Sequence, residues 1–274
     1  MKVSICTLAK NENKYLREWV ERHLSLGFNI IYVYDNNDLG GEKVSDVVSG
    51  YPEVIVIEKY RGVREKNLQT KIYTEFWHEY REDSDWVAFI DVDEFIMLED
   101  CDTMQEFLSQ EKFSGADIVR LRWKVYGDNG LLDVVDGDYR CIPRFKAYNN
   151  VSGLYENRLA KSVFRTGIDI GDNVIEAHGC YNATYLNVVG PDGEPCLNKK
   201  VICMDDKESY RCAWINHYMT KTIGEYTRQK MFRGDINGDD SRYSYGLFWK
   251  INTFTKAKLD YANKVIEEIK NAGD

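Results

Sequence analysis

The sequence has no long apolar stretch. Its apolar runs, such as the one from Trp86 to Ile90, fall far short of the ~20 residues that a membrane-spanning helix needs. Met1 is followed directly by a charged, strand-like segment, which is unlike the start of a signal peptide. We therefore expect a cytoplasmic protein without a secretory leader or a membrane anchor, associated at most peripherally with the inner face of the cell membrane.

Paired cysteines and an excess of basic residues are also absent. None of the seven cysteines forms a CxxC pair, so we expect neither a zinc cage nor a disulfide framework. The chain carries 45 acidic and 36 basic residues, which gives a net charge of −9. Because nucleic acid is normally bound by a basic face, this balance argues against nucleic acid as the main partner.

Two nucleotide-binding motifs are missing as well. No GxGxxG follows the first predicted strand, and no GxxxxGK[ST] occurs anywhere in the chain. These absences remove the main support for a dinucleotide-dependent oxidoreductase and for a P-loop nucleotide hydrolase.

Strand and helix patterns alternate over the first ~100 residues. They predict strands at residues 3–8, 30–34, 54–57 and 86–90, helices at residues 12–26 and 68–80, and a short helix before the third strand. This order predicts an α/β fold with a mostly parallel central sheet flanked by helices, whose ligands bind outside the carboxyl ends of the strands. Beyond residue 117 a strand at 118–126, irregular segments and an amphipathic helix at 255–270 predict a half of α+β type.

The segment WVAFIDVDEF, residues 86–95, places two carboxylates at the end of a buried strand. Asp91 and Asp93 are two residues apart, and in an extended chain their side chains point the same way. Paired carboxylates suit Mg²⁺ or Mn²⁺, which such sites hold together with substrate phosphate oxygens. The alternative interpretation is a solvated acidic turn, but the position after a buried strand favours a metal site.

Several segments resemble a known enzyme group. CTLAKNE (6–12), VYDNND (33–38) and WVAFIDVDEF are similar to the nucleotide-sugar domain of GT-A-fold glycosyltransferases, specifically the family 2-like and family 92-like group. RWKVYGDNG (122–130), KSVFR (161–165) followed by His178, and NHYMTKTIGEYTRQKMFRG (216–234) are similar to its C-terminal half. The resemblance implies the GT-A (nucleotide-diphospho-sugar transferase) fold in a single domain, 1–274, with a nucleotide-sugar-binding half, 1–115, and an acceptor-binding half, 116–274.

The resemblance also implies an activity. It indicates a metal-dependent hexosyltransferase, with Mn²⁺ or Mg²⁺, that moves a sugar from a nucleotide-sugar donor to a hydroxyl of a saccharide or lipid-linked saccharide acceptor. A UDP-sugar is the expected donor, galactose is the first guess for the sugar, inversion is the expected stereochemistry, and surface polysaccharide biosynthesis is the expected pathway. The alternatives are a sugar-nucleotide nucleotidyltransferase, which normally has a Gly-rich loop after its first strand, and a non-catalytic carbohydrate-binding protein of the same fold.

Site residues follow from the same resemblance. Asp91 and Asp93 take the metal and diphosphate role, and His217 is a further metal ligand, since a neutral imidazole is compatible with Mn²⁺. The donor site is predicted to comprise Thr7, Asn11, Glu12, Asp35, Gln69, Asp91, Lys221 and Arg233. Within this set Asp35 contacts the nucleoside, and its alternative role is that of an Asx-turn residue. For His217 the alternative is a hydrogen-bonded core residue.

Two carboxylates are candidates for the general base. Inverting transfer needs a carboxylate that takes the proton of the acceptor hydroxyl on the face opposite the leaving group. Asp128 lies in a predicted tight turn, 127–130, and Glu176 is its competitor. The family 92-like pattern has small hydroxyl residues where this chain has Asp128 and Asn129, and turn stabilisation is the alternative role for Asp128.

Overall fold

The structure, a computed structural model, describes residues 1–148, 154–180, 184–196, 210–232 and 243–272. The strands in these ranges are β1 (Val3–Ala9), β2 (Ile30–Asp35), β3 (Val54–Ile57), β4 (Trp86–Phe89), β5 (Glu94–Leu98), β6 (Ile118–Val125), β7 (Ala160–Arg165), β8 (Val188–Val189) and β9 (Ala213–His217). The α-helices are α1 (Asn13–Ser25), α2 (Val44–Val48), α3 (Leu68–Tyr80), α4 (Met104–Leu108), α5 (Cys141–Arg144), α6 (Ile223–Glu225), α7 (Tyr245–Ile251) and α8 (Lys256–Ala272). A π-helix, Tyr226–Met231, follows α6 directly.

The strands form one mixed sheet in the order β3-β2-β1-β4-β7-β6-β9-β5, and β8 pairs with β6 beside this path. The first four strands of the path run parallel to one another. β7 lies antiparallel between β4 and β6, and β9 is parallel to β6 and antiparallel to β5. The predicted α/β fold with a mostly parallel sheet is confirmed, and β7 is the strand that joins the parallel part to the second half of the chain.

Apolar cores cover both faces of the parallel strands. Side chains alternate along β1, so that Ile5 belongs to the core that includes α1 and Cys6 to the core that includes α3. Trp19 of α1 and Phe76 of α3 are fully buried in these cores. Because helices cover both faces of the sheet, every residue of β1 is buried, which explains its nearly continuous apolar sequence.

Most predicted elements are found within one or two residues of their expected bounds. The predicted strand at 54–57 and the predicted helix at 68–80 are confirmed residue for residue. The amphipathic C-terminal helix is found as α8, Lys256–Ala272. In the described part of the chain, no helix combines the length and the apolar character that crossing a membrane requires.

The prediction of an extended chain through Asp91 and Asp93 is wrong. The chain turns at residues 91–94 because the Glu94 N–H donates to the Asp91 carbonyl oxygen at 3.0 Å. The Glu94 carboxylate closes the same turn from the other side, since its Oε2 accepts a hydrogen bond from the Asp91 N–H at 3.0 Å. Strand β5, which the sequence patterns do not reveal, begins at Glu94 and pairs with β9.

A buried polar network fixes the start of α6 and of the π-helix. The Thr222 hydroxyl accepts from the Glu225 N–H, and the Glu225 carboxylate accepts from the Thr222 N–H, each at 3.2 Å. The same carboxylate accepts bonds from the Arg144 guanidinium at 2.8 and 2.9 Å and from the Tyr15 hydroxyl at 2.9 Å. The network thus ties α1, α5 and α6 together and sets the position from which the π-helix begins.

Phe76 provides a test of the core between α3 and the sheet. Its buried ring contacts the rings of Phe89 and Tyr32 edge to face. We expect Phe76→Ala to lower the free energy of unfolding by about 3–5 kcal/mol, because it removes buried apolar surface and leaves a cavity. The control is Phe254→Ala, where the ring is 57% exposed and the expected change in urea denaturation is below about 0.5 kcal/mol. Equal effects of the two substitutions would contradict this packing.

Candidate active site

A cavity of about 480 Å³ lies where the loops after β1 and β2 meet the π-helix. Its lining includes Asn11 after β1, Asn37 and Asp38 after β2, and Arg228 and Gln229 of the π-helix. The Asn11 N–H donates to Asn37 Oδ1 at 2.6 Å, which holds the two loops together. The loops that a parallel sheet predicts as a ligand site therefore do line a cavity, and the second half of the chain supplies its other wall.

The other predicted donor residues are placed in different ways. Thr7 is fully buried within β1. The Lys221 ammonium lies 3.5 Å from Glu12 Oε2 and 4.1 Å from the centre of the Tyr15 ring, so both predicted residues belong to one buried ion pair. Arg233 lies outside the described residues. The donor-binding role of these residues stays a prediction.

Asp35 is fully buried, and protein groups already bind both of its carboxylate oxygens. Oδ1 accepts from the Asn37 N–H at 2.8 Å, which is an Asx turn. Oδ2 accepts from the Val44 N–H at 3.1 Å and from the Arg61 guanidinium at 2.7 Å. This geometry supports the alternative role of Asp35 as the organiser of the loop after β2, and a nucleoside contact stays a prediction.

Asp91 lies at the end of β4 and is one-third exposed. Its Oδ1 accepts from Gln69 Nε2 at 2.7 Å, and its Oδ2 accepts from the Lys161 ammonium at 2.8 Å. Burial raises the pKa of Asp91, but the charge and hydrogen bond of Lys161 together with His217 outweigh burial, and the pKa is lowered from its usual value. Asp91 is therefore an ionised carboxylate, and the predicted donor residue Gln69 holds it in place.

Asp93 and His217 face each other at the same end of the sheet. Asp93 Oδ1 lies 3.4 Å from His217 Nε2, and Asp93 Oδ2 lies 2.7 Å from the Lys230 ammonium. Burial raises the pKa of Asp93, but Lys230 and His217 outweigh it and hold the pKa well below its usual range. Burial lowers the pKa of His217, which favours the neutral imidazole that binds metal ions.

Glu94 stabilises the turn that carries Asp91 and Asp93. It is fully buried, and burial raises the pKa of its carboxyl well above the usual range. One of its oxygens closes the turn after β4, and the other, Oε1, has no hydrogen-bond partner among the described groups. Its observed role is to shape the turn that presents Asp91 and Asp93.

The residues at this end of the sheet fit a divalent ion that is shared with a substrate. The separation of Asp93 Oδ1 and His217 Nε2 is close to the ~3 Å between adjacent ligands of an octahedral ion, and carboxylate with imidazole is a donor set that Mn²⁺ accepts. No group of three or more His, Cys, Asp or Glu in the described ranges is arranged to hold a metal ion. An ion bound here would therefore need further ligands from water and from phosphate oxygens.

Sequence reasoning missed Lys161 as a site residue. Its ammonium lies between Asp91 Oδ2, at 2.8 Å, and Glu94 Oε2, at 3.6 Å, and its side chain is 1% exposed. Lysine is almost never this buried unless a carboxylate pairs with it. The available signal was a lysine near the start of the segment AKSVFR, since a lysine in a buried strand implies a buried acidic partner.

The two candidate bases differ in their surroundings. Asp128 is buried, its Oδ2 lies 2.6 Å from the Lys258 ammonium, and its Oδ1 accepts from the Gly130 N–H at 2.9 Å. Glu176 is partly exposed, and burial raises the pKa of its carboxyl. The structure thus gives Asp128 a turn-stabilising ion pair, which was its alternative role, and leaves the Glu176 carboxylate more accessible. Neither assignment as a base is tested by this geometry.

The first 130 residues of the chain match the family model for glycosyltransferase family 92. This amino-terminal half is similar to family 92. A family 92 protein of Ricinus communis is 29% identical over 136 residues, which cover 47% of this chain and 24% of that protein. One from Oryza sativa subsp. japonica is 32% identical over 108 residues, or 38% of this chain and 18% of that protein. The chain thus aligns with a quarter or less of the length of these relatives.

The solved structures that resemble the chain are distant. Residues 1–349 of TarS from S. aureus superpose with a TM-score of 0.39 and 16% identity, covering 61% of this chain and 47% of that one. A similarity this low decides neither fold nor function. The match to family 92 is therefore the informative comparison. It confirms, for the first half of the chain, the resemblance that the sequence motifs indicate. It includes Asp91 and Asp93 but ends before Lys161 and His217.

Asp35→Asn tests whether Asp35 organises its loop. The substitution retains an oxygen for the Asx turn but removes the charge that faces Arg61, whose side chain is only 8% exposed. We expect the free energy of unfolding to fall by about 3–5 kcal/mol, the cost of leaving a buried charge without its partner. Lys43→Ala, which breaks the exposed pair with Glu58, should cost at most about 1 kcal/mol in the same urea titration. An Asp35→Asn variant as stable as Lys43→Ala would remove this role.

Proposed function

We propose that the protein is a glycosyltransferase that moves a sugar from a nucleotide-sugar donor to a hydroxyl of a saccharide acceptor. One observation supports the proposal most directly. The region that matches family 92 contains strand β4, and the turn that follows β4 presents Asp91 and Asp93. A UDP-sugar is the proposed donor, with galactose the first sugar to test. Surface polysaccharide biosynthesis in the cytoplasm, on a saccharide or lipid-linked acceptor, is the proposed setting.

The charges around the turn support this reaction class. A nucleoside diphosphate gains negative charge as it leaves the sugar, and cations that are already in position stabilise that charge most effectively. Lys161, Lys221 and Lys230 are all buried and held by carboxylates of the site. A divalent ion on Asp93 and His217, when bound, would add a Lewis acid that neutralises phosphate oxygens. The chain's own part is to fix these groups in the turn after β4, on strands β7 and β9, and on the segment that runs from Lys221 into the π-helix.

For the general base we favour Glu176 over Asp128. Glu176 has no ion-pair partner among the described residues, whereas the Lys258 charge engages Asp128. The raised pKa of Glu176, which burial causes, makes its carboxylate a better proton acceptor than an ordinary glutamate. His178 lies two residues after Glu176, and its ring centre is 5.2 Å from that of Trp123. The Trp123 ring centre is in turn 4.1 Å from that of His217. These contacts connect the Glu176 segment to the metal-binding pair.

The proposed step balances as an inverting displacement. The acceptor oxygen attacks the anomeric carbon while its proton passes to the Glu176 carboxylate. The bond between the anomeric carbon and the phosphate oxygen breaks, and its electron pair leaves with the nucleoside diphosphate. Attack on the face opposite the leaving group inverts the anomeric configuration.

Asp93→Asn tests the donor site. The variant keeps the shape of the side chain but loses the negative charge that would hold the divalent ion beside His217, so we expect binding of UDP with Mn²⁺ to weaken by ~10- to 100-fold. Titration calorimetry measures the binding, and release of UDP from UDP-galactose measures turnover. Asp260→Asn, on the exposed face of α8, is the matched control and should behave as wild type. Unchanged UDP affinity and turnover in folded Asp93→Asn would refute the proposed site.

The same assay separates the alternative functions. A sugar-nucleotide nucleotidyltransferase would form or consume pyrophosphate instead of releasing UDP, and a carbohydrate-binding protein would bind saccharide without releasing either product. Product analysis with the wild-type protein therefore decides between the three functions before any variant is made.

Glu176→Gln tests the base. Because the amide cannot accept the acceptor proton, we expect turnover to fall by ~10²- to 10⁴-fold with little change in UDP binding. Asp128→Asn is the comparison, and its main expected effect is a lower free energy of unfolding, since it leaves the buried Lys258 charge unpaired. Full turnover in Glu176→Gln, or a product with retained anomeric configuration by proton NMR, would exclude Glu176 as the base.

A further inference from the structure

Lys230 binds the carboxylate that is predicted to bind the metal. Its ammonium lies 2.7 Å from Asp93 Oδ2 and 3.8 Å from Glu12 Oε1, and the lysine is 7% exposed. The other oxygen of Asp93 faces His217. In this state of the protein, a lysine therefore neutralises the carboxylate that a divalent ion would otherwise neutralise.

Three carboxylates of the site each lie beside a buried lysine. Asp91 pairs with Lys161, Asp93 with Lys230, and Glu12 with Lys221. Within these three pairs of described residues the charges cancel, and Lys161 also lies 3.6 Å from the carboxylate of the buried Glu94. A hydrated divalent ion gives up its water only to a site with sufficient negative charge and oxygen ligands. The balanced pairs provide little attraction for such an ion.

The number of ligands leads to the same conclusion. Asp93 and His217 are two ligands, and the described residues contain no arrangement of three or more that could hold a metal ion. A diphosphate would bring both the missing oxygen ligands and the missing negative charge. The ion and the donor would therefore bind together, and the Lys230 ammonium, displaced from Asp93 but still beside Glu12, would be available to the diphosphate.

The helix that carries Lys230 also lines the cavity. Arg228 and Gln229 belong to the same π-helix and form one wall of the cavity, immediately before Lys230 in sequence. π-helical segments are rare and are found frequently at functional sites. A donor in the cavity would contact the turn of helix that positions the Lys230 ammonium, so that donor binding and the Lys230–Asp93 ion pair are physically connected.

We propose that Lys230 is a displaceable counter-ion: it neutralises Asp93 while the donor is absent and transfers to the donor diphosphate when donor and divalent ion bind. This inference rests on the proposed function. Lys230 is then a donor-binding residue that also prevents a divalent ion from occupying Asp93 alone. Lys161, on strand β7 between Asp91 and Glu94, stays a fixed counter-ion in both states.

The test measures Mn²⁺ binding rather than turnover. Electron paramagnetic resonance of free Mn²⁺ is followed in titrations of the wild type and of Lys230→Met, each with and without UDP. We expect wild type to bind Mn²⁺ weakly until UDP is added. Lys230→Met should bind Mn²⁺ without UDP at least ~10-fold more tightly than wild type, because the competing charge beside Asp93 is gone. The factor by which UDP tightens Mn²⁺ binding should be correspondingly smaller in Lys230→Met than in wild type.

Two controls make the result specific. Lys264→Met removes an exposed lysine of α8 and should leave Mn²⁺ binding unchanged. Lys230→Arg keeps the charge and should bind Mn²⁺ as weakly as wild type when UDP is absent. It is also the fallback variant if Lys230→Met does not fold. In that case, tight binding of Mn²⁺ by Lys230→Arg without UDP contradicts the proposal. Equal Mn²⁺ affinity of Lys230→Met and wild type without UDP, or tight binding by wild type alone, overturns the inference. Failure of wild type to bind UDP at all overturns the proposed function instead.

Discussion

The carboxylates after β4, Asp93 buried and Asp91 one-third exposed, lie beside positive charges that elements from the second half of the chain supply. Lys161 reaches Asp91 from β7, and Lys230 reaches Asp93 from the π-helix. An unpaired charge in such surroundings is strongly destabilising, so the position of the acidic turn requires β7 and the π-helix to be where they are. The polar network around Glu225 meets that requirement, because it fixes the origin of the π-helix on α1 and α5.

Much of the first half can be predicted from sequence because its signals are local. The apolar runs of β1 and β4 and the helical spacing of α3 depend on neighbours within a few residues. The carboxylates that follow β4 can be predicted for the same reason, since a parallel sheet gathers its strand ends at one edge. The family 92 match over residues 1–130 covers this same region.

The chemical roles of individual carboxylates cannot be predicted in this way, because distant residues decide them. Asp35 lies at the carboxyl end of β2, as a ligand-binding residue would, but it forms an ion pair with Arg61, which is 26 positions later in the chain. Asp128 lies in a turn, as the motif indicates, but Lys258 of the last helix neutralises it. The turn at residues 91–94 also escapes prediction, because Glu94 folds back on the Asp91 N–H through its own side chain. In each case a polar contact changes the role of a residue without changing the apolar pattern around it.

The position of β7 in the sheet has a consequence for how the chain folds during synthesis. β4 pairs with β1 on one side and with β7 on the other, and Asp91 at its end is 70 positions from Lys161. At ribosomal rates of 5–20 residues per second, β4 therefore waits about 4–14 s with one open edge and an uncompensated carboxylate. An open strand edge is a site for association with other chains. Because Lys161 lies on β7 itself, the strand that closes this edge also brings the cation for Asp91, so both are satisfied in one step.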